Sequence, residues 1–372
     1  MSVSRADFIK GMDVSTLLEE EECGARYFDN GSEGDLLEIL KRYGANYVRL
    51  RIWNDPYDED GMPYGAGTND LEKTIVLAKR ALGLGMGFLL DFHYSDFWTD
   101  PMKQTIPKAW QGMDENELEQ AVFDYTKEVV ETLVENDAAP TMIQVGNEIT
   151  NGLLWPMAKK PNFDGIAKYI SAGIRGVRAV QADVPVMIHL DAGGNNEMYR
   201  EWFDNFTRHE TDFQIIGCSY YPFWHGTLDE LEYNMNDMAK RYGKKVVVAE
   251  VSMGFTMEDY AEYEKLAPYE RKGMATKENL LEKLKYPMTK EGQSDFMRDI
   301  MERIASVKEG LGFFYWEPGW VPVPGCGWAS DAAVKYMNEK GPGGNEWANQ
   351  ALFDYDGNAL PALKTIRDFT LK

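Results

Sequence analysis

The chain has 372 residues, 44% hydrophobic and 13% aromatic, with a formal net charge of −22. That composition excludes a disordered chain, and the acidic balance without a Lys/Arg-rich block excludes a nucleic-acid-binding surface. No run of about 18 apolar residues is present to span a membrane, and Cys23, Cys218 and Cys326 are too scattered for a disulfide framework or a CxxC site.

In chain order, the first predicted strand is Phe8–Val14, preceded by no apolar leader. A cytoplasmic protein is therefore expected, or a secreted one if a leader has been removed. A helix follows over about 33–43, where Leu36, Leu37, Leu40 and Tyr43 form an i, i+3/i+4 stripe and Gly44 ends it. Strand two is Tyr47–Trp53, and the helix over 70–83 takes its N-cap from Asn69-Asp70. Strand three, Gly87–His93, is entered through LGLGMGF (82–88), which precedes the strand and so reads as a turn, not a phosphate loop. The helix over 115–136 carries the same stripe in Val122, Tyr125, Val129, Val130 and Leu133. Strands Met142–Asn147, Val184–Leu190, Phe213–Tyr220, Lys245–Val251 and Gly312–Trp316 then alternate with helices over 164–181, 197–208, 228–242, 292–308 and 360–370.

Eight strands each followed by a helix, with no linker between them, predict a single α/β domain over residues 1–372, a (β/α)8 TIM barrel. An open doubly wound sheet would need a glycine-rich turn after strand one, and none is present. Long connections follow strands seven (about 253–291) and eight (about 317–358), on the face where barrels build their sites.

Polar and aromatic residues interrupt the strands at that end. Strand two carries Arg49 and Arg51, two apart and so facing one way. Strand three leads to Asp91, His93, Asp96 and Trp98. Strand four ends in Asn147-Glu148, strand five in His189 and Asp191, and strand six in Tyr220, Tyr221 and Trp224. Strand seven gives Glu250, and strand eight Trp316, Glu317 and Trp320. Two glutamates on opposite sides of a barrel mouth suit glycoside hydrolysis, which needs one protonated and one ionised carboxyl group. A catalytic metal is not expected, because the four histidines are scattered, and no GxSxG supports a serine nucleophile.

The motifs GMDVS (11–15), YVRLRIW (47–53), DFHYSDFW (91–98), QVGNEITNGLLWP (144–156), VVVAE (246–250) and FYWEPGW (314–320) resemble glycoside hydrolase family 53, the arabinogalactan endo-β-1,4-galactanases of clan A. The resemblance runs from residue 11 to NQALFDYDGNALPAL near the end. It implies retaining cleavage of β-1,4-galactan or galacto-oligosaccharides, with Glu148 as acid/base and Glu250 as nucleophile. It further implies substrate contacts from Arg49, His93, Asn147, Tyr220 and Trp316, with Asp96, Trp98, Asp191 and Trp320 extending the groove. No cofactor is expected, because the calcium loop of bacterial relatives has no counterpart in the acidic stretch after strand seven. A clan A enzyme on mannan, cellulose or xylan, and a barrel that binds glycans without cutting them, are the alternatives. The intact glutamate pair argues against the second.

Overall fold

The structure is a computed structural model and describes residues 8–258, 260, 278–338 and 344–371. Eight parallel strands close into a barrel: β1 (Ile9–Asp13), β2 (Tyr47–Ile52), β3 (Gly87–Phe92), β4 (Met142–Val145), β5 (Val186–Leu190), β6 (Ile215–Tyr220), β7 (Lys245–Val251) and β8 (Gly310–Trp316). Each pairs with its neighbours in sequence, and β1 closes the ring by pairing with both β2 and β8. The surrounding helices are α1 (Leu36–Arg42), α2 (Leu71–Gly83), α3 (Glu115–Glu135), α4 (Phe163–Val180), α5 (Asn196–Phe206), α6 (Leu228–Tyr242), α7 (Lys290–Ser306) and α8 (Pro361–Asp368).

The local signals explain these limits. The Asp70 side chain caps α2 by accepting from the Lys73 N–H, and Asp114 and Glu117 form a capping box on α3. Residues 82–88 are the α2-to-β3 turn, with Gly85 at a φ of 70°. On α3 Val122, Val129, Val130 and Leu133 of the predicted stripe are buried against the barrel, and Tyr125 is half-buried. Each such buried side chain contributes roughly 1.5–3 kcal/mol. Sequence periodicity missed a short helix at Leu17–Glu22, a two-stranded ribbon pairing Tyr27–Asp29 with Ser32–Gly34, and a helix at Asp331–Met337. All three are one or two turns or three residues long, too short for a period to register.

Along the barrel axis the lumen changes chemistry. Its lower layers are apolar, filled by Ile9, Leu89, Met142, Met187, Ile215, Val247, Ala249, Leu311 and Phe314. Gly11 admits the Phe314 ring, which lies 2.2 Å from where a Cβ would sit. Above this plug the inward positions become Asp13, Arg49, Arg51, Asp91, Gln144, His189 and Ser219, all buried. A polar layer at the C-terminal ends of the strands is where a barrel positions its chemistry.

Candidate active site

Two backbone irregularities aim the glutamates at the cavity. Strict alternation on β7 puts Val247 and Ala249 in the lumen, which would turn Glu250 outward. The register against β6 instead steps from Cys218↔Val248 to Ser219↔Glu250. This β-bulge, repeated in the register against β8, turns Glu250 inward. After β4, Gly146 (φ 87°) and Glu148 (φ 46°) are both left-handed, so the chain doubles back and presents Asn147 and Glu148 together. A left-handed glutamate costs about 1–2 kcal/mol and persists only because its surroundings hold it.

Both glutamates line a cavity of about 300 Å³ at the barrel mouth. His93, Trp98, Thr99, Asn147, Trp316 and Tyr221 share it, and Trp328, Glu346 and Trp347 from the connection after β8 form a further wall. Trp316 meets Trp347 edge-on at 4.8 Å, and Trp98 stacks on Trp328 at 4.6 Å. The Arg51 guanidinium sits 4.3 Å from the Trp98 ring centroid, so the aromatic wall rests on a buried cation.

The two carboxyl groups have unlike partners. Glu250 receives the Arg49 Nη2 at 2.9 Å and the Tyr221 hydroxyl at 2.8 Å. Arg49 also binds Asp13 (2.8 Å), Asp91 (2.9 Å), Asn147 Oδ1 (3.0 Å) and Gln144. Glu148 receives only the Ser219 hydroxyl, at 2.6 Å. Burial pushes both carboxyls up, but for Glu250 the attraction of Arg49 and the Tyr221 hydrogen bond oppose it. For Glu148 the negative charges of Glu250 and Asp191 add to burial, and its affinity for a proton rises well above the ordinary range. A single proton on the pair therefore resides on Glu148. His93 donates from Nε2 to Asp91 at 3.1 Å and accepts at Nδ1 from Trp53 and Thr99, and burial keeps it neutral.

The structure moves several residues of the sequence reading. Tyr220 does not line the cavity: it faces outward, its hydroxyl donating to the Gly226 carbonyl and its ring parallel to Phe296. Tyr221, one position on, is the cavity tyrosine. Parity from inward Ile215 selects Tyr221 over Tyr220. Asp96 is fully buried away from the cavity, where it accepts the Lys108 and Asp55 backbone N–H groups and ties two loops together. Trp320 is likewise buried, donating to the Cys326 carbonyl behind Trp98 and Trp316. Asp191 binds Thr150 and reaches Glu148 only through its charge. Arg49, 1% exposed, lies beneath the cavity floor and holds Glu250 in place of touching a ligand. His93, Trp98, Asn147 and Trp316 lie where expected. Among residues not singled out, Ser219 and Gln144 were legible as inward positions at strand ends, whereas Trp328, Glu346 and Trp347 lie in a connection without periodicity. Among the described residues no group of three or more His, Cys, Asp or Glu could hold a metal ion. The stretch weighed for calcium includes residues 259 and 261–277, which lie outside the described residues.

The sequence pattern of glycosyl hydrolase family 53 matches residues 9–366. The chain belongs to this family. It is 39% identical to an endo-β-1,4-galactanase of Bacillus subtilis (strain 168), over 97% of this chain and 86% of that protein. It is 37% identical to arabinogalactan endo-β-1,4-galactanase A of Aspergillus niger, over 84% of this chain and 85% of that protein. Among solved structures, the GH53 catalytic domain of Ignisphaera aggregans superposes with a TM-score of 0.89 at 39% identity, covering 97% of this chain and 96% of that one. No helix among the described residues is long and apolar enough to cross a membrane.

Proposed function

We propose that the protein is a retaining endo-β-1,4-galactanase, acting on galactan, type I arabinogalactan or the galacto-oligosaccharides derived from them. The observation that carries this is the unequal pair Glu148 and Glu250, facing one aromatic-walled cavity, with Glu148 holding a proton more tightly than the Arg49-paired Glu250. Glu250, ionised beside Arg49, attacks the anomeric carbon. Glu148 gives its proton to the departing glycosidic oxygen as the C–O bond breaks, leaving a galactosyl ester on Glu250. Glu148, now ionised, takes a proton from water, and that water attacks the same carbon and restores the carboxylate of Glu250. Two inversions return the original configuration.

Asn147 supplies orientation. Its Oδ1 is filled by Arg49 and one Nδ2 hydrogen by the Thr99 carbonyl at 2.9 Å. The second Nδ2 hydrogen is left to donate to the sugar 2-hydroxyl, a contact that strengthens in the transition state. Trp316 offers a flat face to the sugar ring.

The test is product analysis on linear galactan, beside mannan, xylan and cellulose. Glu148→Gln and Glu250→Gln should each lower turnover by roughly 10³-fold or more while melting near the wild type. Azide should rescue Glu250→Ala with an α-configured product. Near-normal turnover in either Gln variant, or robust cleavage of mannan with none of galactan, would overturn the proposal.

A further inference from the structure

We propose that Ser219 and His189 are positioning residues that decide which oxygen of Glu148 carries the catalytic proton. The inference rests on the reading of Glu148 as the acid/base. It follows from donor and acceptor chemistry along one chain of buried contacts.

The chain starts at Arg49, whose Nε and Nη2 both lie 3.2 Å from Gln144 Oε1. A guanidinium only donates, so that amide atom is the oxygen. The other end of the amide, Nε2, has two hydrogens for three acceptors, the Gly146 carbonyl at 3.1 Å, Asn147 Oδ1 at 3.3 Å and His189 Nδ1 at 3.0 Å, and the nearest of them, Nδ1, takes one. The Glu148 backbone N–H points at the same nitrogen from 3.4 Å. Two donors leave Nδ1 without a hydrogen. The acceptor beside it, Asn147 Oδ1 at 3.2 Å, already receives the charged donor Arg49 Nη2 at 3.0 Å. In a neutral ring the hydrogen is consequently on Nε2, which lies 2.9 Å from Ser219 Oγ. Ser219 accepts there, so its own hydrogen goes to Glu148 Oε1 at 2.6 Å.

Oε1 of Glu148 is thereby an acceptor in both protonation states. A proton on Glu148 is confined to Oε2, the oxygen left for the cavity. The same oxygen gives the proton to the leaving group and later takes one from water, and no rotation of the carboxyl group separates the two half-reactions. An imidazolium would break this chain, since Nδ1 would then point a hydrogen at two donors. Burial together with the charge of Arg49 holds His189 neutral against the opposing pull of Asp91. The charged groups acting on Glu148 itself are Glu250, Asp191 and Asp100.

Two measurements test this. In wild-type protein with ¹⁵N-labelled histidine, His189 should show a bare Nδ1 and a protonated Nε2 throughout about pH 5 to 8. A protonated Nδ1, in either a neutral or a charged ring, overturns the proposal whatever the enzyme cleaves. In Ser219→Ala the stabilisation of ionised Glu148 is lost, so the basic limb of kcat/KM should move up by about one pH unit. kcat on galactan should fall by about tenfold with little change in KM, while an aryl galactobioside whose leaving group needs no proton should lose much less. Ser219→Thr, which keeps the hydroxyl, should restore the wild-type limb. An unmoved basic limb with equal losses on both substrates would reduce Ser219 to packing and overturn the proposal. Near-normal turnover of Glu148→Gln would instead overturn the reading on which it rests.

Discussion

Tyr221→Phe isolates one of the two contacts that keep Glu250 ionised. The hydroxyl lies 2.8 Å from Glu250 Oε2, while Arg49 holds Oε1 at 2.9 Å. Phenylalanine removes the first contact and keeps the ring, which packs on Trp347, Trp224 and Phe223 with centroids 5.3, 5.8 and 5.9 Å away. A hydrogen bond to a charged group contributes about 1.5–3 kcal/mol. At about 1.4 kcal/mol per unit, its loss raises the Glu250 pKa by about one to two units. The direction is fixed: the hydroxyl favours the ionised form, so without it the nucleophile becomes available only at higher pH. The acid limb of kcat/KM on a galacto-oligosaccharide, measured by initial rates from about pH 4 to 9, should therefore move up by about one to two units. The basic limb should move less, since it reports chiefly Glu148, although the two values belong to the pair. An acid limb within about 0.3 units of wild type, in a variant melting within a few degrees of it, would refute the role given to Tyr221.

Tyr220→Phe should leave both limbs and kcat unchanged, because that hydroxyl meets the Gly226 carbonyl outside the cavity; a large loss of kcat would show that the wrong tyrosine faces the substrate. Arg49→Met should strip three buried carboxylates, Asp13, Asp91 and Glu250, of their shared cation. A loss of about 3–5 kcal/mol is expected in chemical denaturation, together with near-abolished turnover. Glu20→Gln should stabilise the protein increasingly as pH rises. Glu20 is buried beside Glu317, and burial raises its pKa well above normal against the opposing hydrogen bond that it accepts from the Tyr27 hydroxyl. The folded state keeps the carboxyl proton while the unfolded chain releases it above about pH 4.3, so wild-type stability falls as pH rises past that point and the Gln variant escapes the loss. Calorimetry at about pH 4 and 8 checks whether the difference between the two grows.

The barrel was legible because each element is long relative to its period. Residues 115–136 complete six turns, and β7 was read to its residue limits. The site was legible where alternation holds: Arg49 and Arg51 on β2 both face the lumen, as their spacing requires. It was illegible where the backbone departs from alternation or from periodicity. The bulge at Ala249-Glu250 is invisible in VVVAEVS, so the inward course of Glu250 rested on its place at a strand end. On β6 a regular count would have selected Tyr221, but the adjacent tyrosines carry the same chemistry and residue type alone cannot choose between them. Asp96 and Trp320 carry the right chemistry at the right end of the barrel, yet tertiary packing places them behind the wall and not on it. Trp328 and Trp347 reach the cavity only through the course of the connection after β8, which has neither a helical nor a strand period.

The division of labour between the glutamates follows from a shortage of cations. Asp13, Asp91, Glu250, Glu317 and Glu148 crowd the barrel mouth, and among the described residues only Arg49 and Arg51 are cations buried with them. Both histidines nearest the pair, His93 and His189, are held neutral by burial and add no compensating charge. Five carboxylates cannot all ionise against two guanidiniums in a poorly solvated layer, so protons must be retained somewhere. Arg49 reaches Asp13, Asp91 and Glu250, and Arg51 reaches Asp13 and Glu317. Even with that contact, burial raises Glu317 to about 7. Glu148 touches neither arginine and faces Glu250 and Asp191 as well. It is thus the group on which the retained proton costs least, and no dedicated proton donor is needed to keep it charged with one. Adding a cation within reach of Glu148 would remove the acid from the reaction as effectively as replacing the glutamate, because the excess of carboxylates over arginines is what keeps the proton there.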